Sequence, residues 1–167
     1  SNPETLKRLL VELKEFNATE PEQLASQPYL RAVVQETLRM HPIVTEVLRI
    51  LRSPMQFDRW LLPAGTAVAP AIVLAHYNPE TFPDPDRFLP ERFLDHSFSS
   101  AEYLPFGGGH RRCAGAAFAT YEMSIVLATI LTQYEFTLLE SRPVTPVRRN
   151  ITMGPSSGIR VSVRPRN

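Results

Sequence analysis

The chain has 167 residues, of which 43% are hydrophobic and 21% are charged, and its formal net charge is +1 at pH 7. This length suits a single domain, or part of a larger one, and the composition is that of an ordinary globular protein. The balanced charge argues against a nucleic-acid-binding protein, because the surfaces of such proteins are usually strongly basic.

The first predicted element is an amphipathic helix near the amino terminus. No charged-then-apolar leader follows Ser1, so the sequence predicts no secretory signal peptide, while a membrane anchor upstream of this segment stays open. Pro3 is typical of a first helical turn. Apolar side chains then recur with helical spacing, which predicts a face that packs against the core: Leu6, Leu9, Leu10, Leu13 and Phe16.

A second amphipathic helix is predicted within QPYLRAVVQETLRMHP. Pro28 is suited to its first turn, and Pro42 disfavours helical geometry at His41 and so ends the helix. The apolar stripe of this helix consists of Leu30, Val33, Val34 and Leu38.

The middle of the chain favours short strands and turns. Three strand-like runs occupy residues 46–51, 56–62 and 67–72, and turn residues such as Pro63 and Gly65 separate them. The following segment, residues 77–93, contains too many prolines for a long helix or a central strand. It therefore predicts an extended connection.

A long helix over residues 114–134 is predicted near the carboxyl end of the chain. Because this segment is apolar nearly all round, we expect it to be buried rather than superficial. The tail predicts short strands with a turn around Gly154 and Pro155. The fold class is therefore mainly α with small antiparallel β-sheets, in one unit without repeats.

The only cysteine of the chain lies in the stretch FGGGHRRCAG, residues 106–115. A lone cysteine has no partner for an internal disulfide and favours the reducing cytoplasm as the compartment. The start of a helix favours negative charge, and Arg111 and Arg112 add positive potential, so these surroundings favour the thiolate of Cys113. The glycines allow the backbone to approach a bulky group closely.

Several other roles for Cys113 are open from the residues alone. An inert buried thiol is the common state of a single cysteine, and a nucleophile paired with His110 is a further reading, although no orienting acid is evident. A nucleotide-binding loop lacks its lysine motif here. Zinc is disfavoured because none of the histidines has ligand spacing to the cysteine: His41, His76, His96 and His110.

Three motifs in order give the chain a resemblance to the cytochrome P-450 family of haem-thiolate monooxygenases. The loop fits F-x-x-G-x-R-x-C-x-G, residues 36–39 fit E-x-x-R, and residues 88–93 fit F-x-P-x-R-F. The resemblance covers essentially the whole chain but only the carboxyl-terminal, haem-loop part of the family's fold. It implies that residues 1–167 form a segment of one longer domain.

The resemblance implies a role for each residue of the loop. Cys113 would be both the catalytic thiolate and the axial ligand to the iron of haem b (iron protoporphyrin IX). Further cofactor contacts would come from four residues of the loop and from one arginine after the E-x-x-R motif. They are Phe106, which would shield the sulfur, Gly109, Arg111 at a haem propionate, Gly115, and Arg49 at a second propionate. Arg52 is the alternative to Arg49 at that second propionate.

Outside the loop, the resemblance implies a structural cluster and two substrate-contact stretches. Glu36, Arg39 and Arg92 would form a buried ionic cluster behind the haem loop, whereas the three-residue spacing of the first two alone is that of an ordinary surface pair. The substrate stretches would contain Val44, Thr45, Glu46 and Val47 in one segment, and Met153 and Gly154, followed by Pro155, in the other.

The implied reaction inserts one atom of dioxygen into an apolar organic substrate, with electrons from NAD(P)H through a ferredoxin or a flavoprotein reductase. Family members carry a distal helix with an acid–alcohol pair ahead of the segment that resembles residues 1–16, and no counterpart of it is present in this sequence. We therefore expect the isolated chain to be inactive alone. The alternative is a truncated, non-catalytic fragment that binds haem weakly or not at all.

Overall fold

The computed structural model describes residues 2–16 and 20–166. Within these residues the chain forms six α-helices, one 3-10 turn and eight short strands. The helices are α1 (Pro3–Phe16), α2 (Pro21–Ala25), α3 (Pro28–Met40), α4 (Ile72–His76), α5 (Arg92–Asp95) and α6 (Ala116–Gln133), and the 3-10 turn is Gly109–Arg111. The strands are β1 (Arg49–Ile50), β2 (Met55–Phe57), β3 (Trp60–Leu62), β4 (Ala67–Val68), β5 (Tyr134–Leu138), β6 (Pro146–Arg149), β7 (Thr152–Pro155) and β8 (Val161–Pro165).

The described strands form four two-stranded sheets, β1–β4, β2–β3, β5–β8 and β6–β7, and every pair is antiparallel. The fold class predicted from the sequence, mainly α with small antiparallel sheets, is confirmed. Among the described residues, none of the helices combines the length and the apolar character needed to cross a membrane.

The hydrophobic core lies where α1, α3 and α6 meet. Its fully buried side chains come from all three helices, which explains why the apolar stripes of α1 and α3 recur with helical spacing. Of the predicted face of α1, Leu9 and Leu13 are buried, whereas Leu6 and Phe16 remain exposed. The core cluster consists of Leu9, Leu13, Tyr29, Leu30, Val33 and Ala128.

A carboxylate on α1 caps the amino terminus of α3. Glu12 accepts the Tyr29 N–H at 2.8 Å with one oxygen and the Leu30 N–H at 2.9 Å with the other. Helix α3 needs this help because its N-cap residue, Gln27, makes no side-chain capping bond. The carboxylate satisfies two of the free N–H groups at the helix start and lies at the positive end of the helix dipole.

The three predicted strand runs are shorter than expected. Residues 56–62 form a hairpin, since Asp58 has a φ of 50° and aspartate tolerates this left-handed conformation. Residues 67–72 form a ladder only at β4, because Pro70 has no N–H for a ladder and Ile72 already begins α4. Residues 46–51 pair only at β1 and through a single bridge from Glu46 to Ala71.

The predicted turn around Gly154 and Pro155 is wrong. Both residues lie in β7, paired with Val147 and Pro146 of β6, and the hairpin turns instead at Asn150, where φ is 63°. Asparagine adopts the left-handed conformation more readily than most residues, and a proline is tolerated in a two-stranded sheet because every strand there is an edge.

The prediction that the long carboxyl-terminal helix is buried rather than superficial is also wrong. Helix α6 buries only Ala116, Ser124 and Ala128, whereas Phe118 is 67% exposed and Val126 is 52% exposed. The described residues cover one side of α6, through α1, α2 and α3. An apolar pattern around a whole helix indicates neighbours on every side, and this chain supplies neighbours on one side only.

Candidate functional site

The loop that carries Cys113 folds back on itself through backbone hydrogen bonds. The Cys113 N–H donates to the Phe106 carbonyl oxygen at 2.9 Å, and the Gly107 N–H donates to the Leu104 carbonyl oxygen at 2.9 Å. Gly107 and Gly109 have φ values of 70° and 60°, a region that strains residues with a side chain. The glycines of the motif therefore allow the tight turns that bring the cysteine back beside Phe106.

The thiol of Cys113 is free and exposed, which argues against an inert core cysteine. Helix α6 begins three residues later, and the Ala116 N–H donates to the Cys113 carbonyl oxygen at 3.4 Å. Across residues 2–16 and 20–166, no three histidine, cysteine or acidic side chains are grouped to hold a metal ion. A single accessible thiol fits haem iron, which one protein ligand can hold, better than zinc, which needs three or four protein ligands.

The other predicted cofactor residues lie in the loop or on a short strand. Phe106 is half-buried, whereas Gly109, Arg111 and Gly115 are exposed. Arg111 ends the 3-10 turn that precedes the cysteine. Arg49 lies in β1 with an exposed side chain whose Nη1 donates to the Leu48 carbonyl oxygen at 2.8 Å.

Glu36 is fully buried and both of its oxygens are occupied by donors. Arg39 Nε donates to Oε2 at 2.7 Å and Arg39 Nη2 to Oε1 at 3.0 Å. Oε1 also accepts Arg92 Nε at 3.2 Å and the Leu89 N–H at 2.9 Å. The structure therefore brings Arg92 of the second motif, 56 positions from Glu36, into one cluster with Glu36 and Arg39 of the first.

Arg39 extends this cluster into the proline-rich connection. Its guanidinium donates to the carbonyl oxygens of His76 at 2.8 Å, Pro85 at 2.8 Å and Arg87 at 3.3 Å, besides its bonds to Glu36. The Arg39 and Glu36 side chains are both 0% exposed, and that of Arg92 is 9% exposed. Full hydrogen bonding is what makes a buried ion pair tolerable, so the cluster fixes the path of residues 85–92 against α3.

The two predicted substrate stretches lie side by side. The Met153 N–H of β7 donates to the Ile43 carbonyl oxygen at 2.6 Å, just before Val44. Glu46 is bound by the Thr45 hydroxyl and, at 2.6 Å, by Arg148 Nη2, and both interactions lower the pKa of the Glu46 carboxyl, the Thr45 bond most. The Glu46 carboxylate is therefore bound by two side chains of this chain, Thr45 and Arg148.

Two arginines of β6 lie against these stretches: Arg149 limits the space at Gly154, and Arg148 binds Glu46. A side chain at Gly154 would approach Arg149 Nε at 3.3 Å, closer than most real contacts, so the arginine would have to move. Arg148, which pairs with Met153 in the β6–β7 ladder, was not predicted to lie at the site. No local signal identifies it, because its importance comes from Glu46, 102 positions away.

His76 is the second residue that the sequence motifs do not reveal. Its side chain is fully buried, its Nδ1 lies 3.1 Å from the Arg39 carbonyl oxygen, and its Nε2 accepts the Leu104 N–H at 3.0 Å. Burial lowers the pKa of His76 from 6.5 to about 4. The imidazole is therefore neutral at physiological pH, and it connects the buried ionic cluster to the start of the cysteine loop.

Comparison with known proteins agrees with this geometry. The family model described as Cytochrome P-450 matches residues 1–162. The putative cytochrome P-450 135B1 of Mycobacterium tuberculosis H37Rv is 42% identical over 140 residues, which cover 84% of this chain and 30% of that protein. The probable cytochrome P-450 4s3 of Drosophila melanogaster is 33% identical over 168 residues, which cover 99% of this chain and 33% of that protein.

A solved structure is similar over almost the whole chain. Cyanobacterial CYP120A1 with bound retinoic acid superposes with a TM-score of 0.88 at 31% identity, covering 98% of this chain and 39% of that one. The chain therefore belongs to the cytochrome P-450 family, a class of haem-containing monooxygenases. It spans about a third of the length of the curated relatives that it matches.

Proposed function

We propose that this chain supplies the proximal, thiolate-bearing part of a haem monooxygenase. The observation that carries the proposal is an exposed thiol on a glycine loop whose backbone returns to Phe106. Cys113 would ligate the iron of haem b, and Phe106 would shield the sulfur from water. Arg111 and Arg49 would bind the two haem propionates, with Gly109 and Gly115 leaving room for the ring.

The protein residues around the sulfur have defined tasks in this proposal. When bound, haem would supply the redox chemistry of oxygen activation, and the Cys113 thiolate would donate electron density to its iron. Backbone N–H groups of the loop would tune the electron density on the sulfur. The hydrogen bonds of the buried Glu36–Arg39–Arg92 cluster go to one another and to backbone groups, so its task would be to hold the frame that supports the loop.

The substrate would be an apolar organic molecule placed against two adjoining stretches. Val44, Thr45 and Val47 would line it from one side, and Met153 and Gly154 from the other, while Glu46 would hold the two stretches together through Arg148. The structurally similar cyanobacterial protein has retinoic acid bound, a largely apolar molecule, which supports this substrate class.

Electrons would come from NAD(P)H through a ferredoxin or a flavoprotein reductase. His110 and Arg112 are exposed in the cysteine loop, where the positive charge of Arg112 would attract an acidic partner and His110 would contact it. The same residues 1–167 would form the carboxyl-terminal part of one longer domain, with the oxygen-activating distal helix contributed by the remaining part.

A second candidate is a non-catalytic fragment that binds haem weakly or not at all. The observation that favours it is the accessible surface of 11780 Å², compared with about 8,300 Å² expected for a compact monomer of this mass. Such a large surface indicates that the chain lacks neighbours that a complete domain would provide.

Titration of the purified chain with hemin, followed by reduction under carbon monoxide, separates the two candidates. A red-shifted, thiolate-type Soret band that is lost in Cys113→Ala and kept in His110→Ala supports ligation by the cysteine. Absence of haem uptake favours the non-catalytic fragment. Turnover with a redox partner by these residues alone would contradict the need for the distal part, and haem-free acylation of Cys113 would support a cysteine nucleophile.

A further inference from the structure

His76 makes a hydrogen bond with each of its ring nitrogens, and these bonds define its tautomer. A backbone N–H only donates, so Nε2, which faces the Leu104 N–H at 3.0 Å, must carry the lone pair. The proton therefore resides on Nδ1, which donates to the Arg39 carbonyl oxygen at 3.1 Å. Arg39 Nη1 donates in return to the His76 carbonyl oxygen at 2.8 Å, so the two residues bind each other twice.

The N–H group that His76 Nε2 accepts belongs to Leu104, the residue at which the cysteine loop begins. The Leu104 carbonyl oxygen accepts the Gly107 N–H, and the next turn returns the Cys113 N–H to Phe106. Tyr103 supports the same point, since its ring stacks on the imidazole at 5.4 Å between centroids and its hydroxyl donates to the Gln35 carbonyl oxygen at 3.0 Å.

We propose that His76 is a positioning residue for the haem thiolate. Its neutral imidazole joins the carboxyl end of α3, at Arg39, to the Leu104 N–H, and so holds the loop that carries Cys113 at a fixed place on the Glu36–Arg39–Arg92 cluster. This inference rests on the proposed role of Cys113 as the haem ligand.

The role of His76 depends on its being both donor and acceptor. A protonated ring would direct an N–H at the Leu104 N–H and break the connection to the loop. The charged and titratable groups that face the ring are the Arg39 guanidinium and Glu36 carboxylate of α3, and the Tyr103 phenol of the loop. Burial of the side chain is the main cause that lowers the pKa of His76, and the positive Arg39 guanidinium lowers it further, whereas the Arg39 carbonyl oxygen and the Glu36 carboxylate act in the opposite direction.

Two conservative variants separate the two bonds of the imidazole. In His76→Gln, the amide oxygen reaches the place of Nε2 and can accept the Leu104 N–H. In His76→Asn, the shorter amide can still donate to Arg39 from the place of Nδ1 but leaves the Leu104 N–H without an acceptor. His96→Asn, at an exposed histidine outside the haem loop, is the matched control.

The first measurement is the Soret band of each hemin-loaded, CO-reduced chain. We expect His76→Gln and His96→Asn to keep the thiolate-type band, and His76→Asn to lower the thiolate-ligated fraction about tenfold, because a buried N–H is left unpaired. Equal spectra for the two His76 variants would overturn the proposal, since a side chain that only fills space would not distinguish Gln from Asn.

The second measurement needs no haem, so it separates this inference from the proposed function. Native-state hydrogen exchange at the Leu104 and Cys113 N–H groups should be about tenfold faster in His76→Asn than in His76→Gln. If the unsubstituted chain takes up no haem, the proposed function fails for this chain while the exchange rates still decide the role of His76. Rates typical of a free loop in the unsubstituted chain would overturn the proposal without any variant.

Discussion

Arg39 is the side chain whose loss should cost the most stability. Substituting Arg39→Met leaves the carboxylate of Glu36 fully buried, with only Arg92 and the Leu89 N–H as donors, and strips donors from three backbone carbonyl groups. We expect the free energy of unfolding to fall by about 3–5 kcal/mol, the typical cost of breaking a buried ion pair. Urea unfolding followed by circular dichroism measures this loss.

The exposed pair of Arg87 and Asp84 provides the control for that experiment. These side chains are 68% and 64% exposed and lie 3.4 Å apart, so Arg87→Met should change the free energy of unfolding by no more than about 1 kcal/mol. Similar losses for Arg39→Met and Arg87→Met would contradict the structural role of the buried cluster.

His76 should make the stability of the chain depend on pH between about 6.5 and 4. Burial lowers the pKa of its imidazole to about 4 in the folded chain, so in this window the unfolded chain binds a proton that the folded chain does not. The contribution of His76 is therefore complete above pH 6.5 and decreases as the pH falls, by about 3 kcal/mol in total at pH 4.

Unfolding of the unsubstituted chain and of His76→Gln over this pH range tests the effect. Glutamine does not titrate, so the difference in unfolding free energy between the two chains isolates the imidazole from all carboxyl groups. A difference that stays constant from pH 7 to pH 4 would show that His76 titrates equally in the folded and unfolded chains, contrary to its burial.

The contact between helices α1 and α3 depends on the carboxylate that caps α3. Glu12→Ala removes the acceptor of two N–H groups, and we expect it to lower the free energy of unfolding by about 1–2 kcal/mol, the range for lost helix caps. Glu15→Ala on the same helix changes an exposed glutamate and should cost within about 0.5 kcal/mol. Equal thermal shifts of the two variants would refute the capping role.

The long helices were predictable because local features define them. Pro3 and Pro28 each lie at a helix start, and the apolar spacing of α1 and α3 matches the face that packs. The ends of the strands were not predictable from local features. Pro70 prevents the β4 ladder from continuing, and the tail turns at Asn150 rather than at Gly154. These limits depend on pairing partners, which periodicity alone does not identify.

The site was predictable only where family motifs mark it. Three-residue spacing places Glu36 and Arg39 on one helix face, but their burial depends on Arg92 and on backbone carbonyl groups 37 to 48 positions away from Arg39. His76 and Arg148 carry no such mark. Each acquires its contacts from tertiary structure, at Leu104 and at Glu46 respectively, and so neither could be found by reading neighbours in sequence.

The whole chain exposes about 40% more solvent-accessible surface than a compact protein of its mass. Large apolar side chains are exposed on both helices and strands, including Phe118 and Val126 on α6 and Leu61 on β3. Folded monomers rarely expose large contiguous apolar patches. The fold is therefore organised around neighbours that these residues do not contribute, in agreement with a chain that spans about a third of its relatives.

This surface predicts that the isolated chain associates with itself. At micromolar concentration we expect light scattering to give a mass above the monomer's 18.9 kDa and a hydrophobic dye to bind strongly, because apolar area gains free energy when it leaves water. A double variant, Phe118→Ser with Val126→Ser, should shift the mass towards the monomer, since both side chains are more than half exposed on α6. Substituting the exposed charged residues Glu80→Ser and Asp86→Ser is the control and should leave association unchanged. A monomeric, dye-free chain would show that the exposed face of α6 is tolerated in water and needs no covering neighbour.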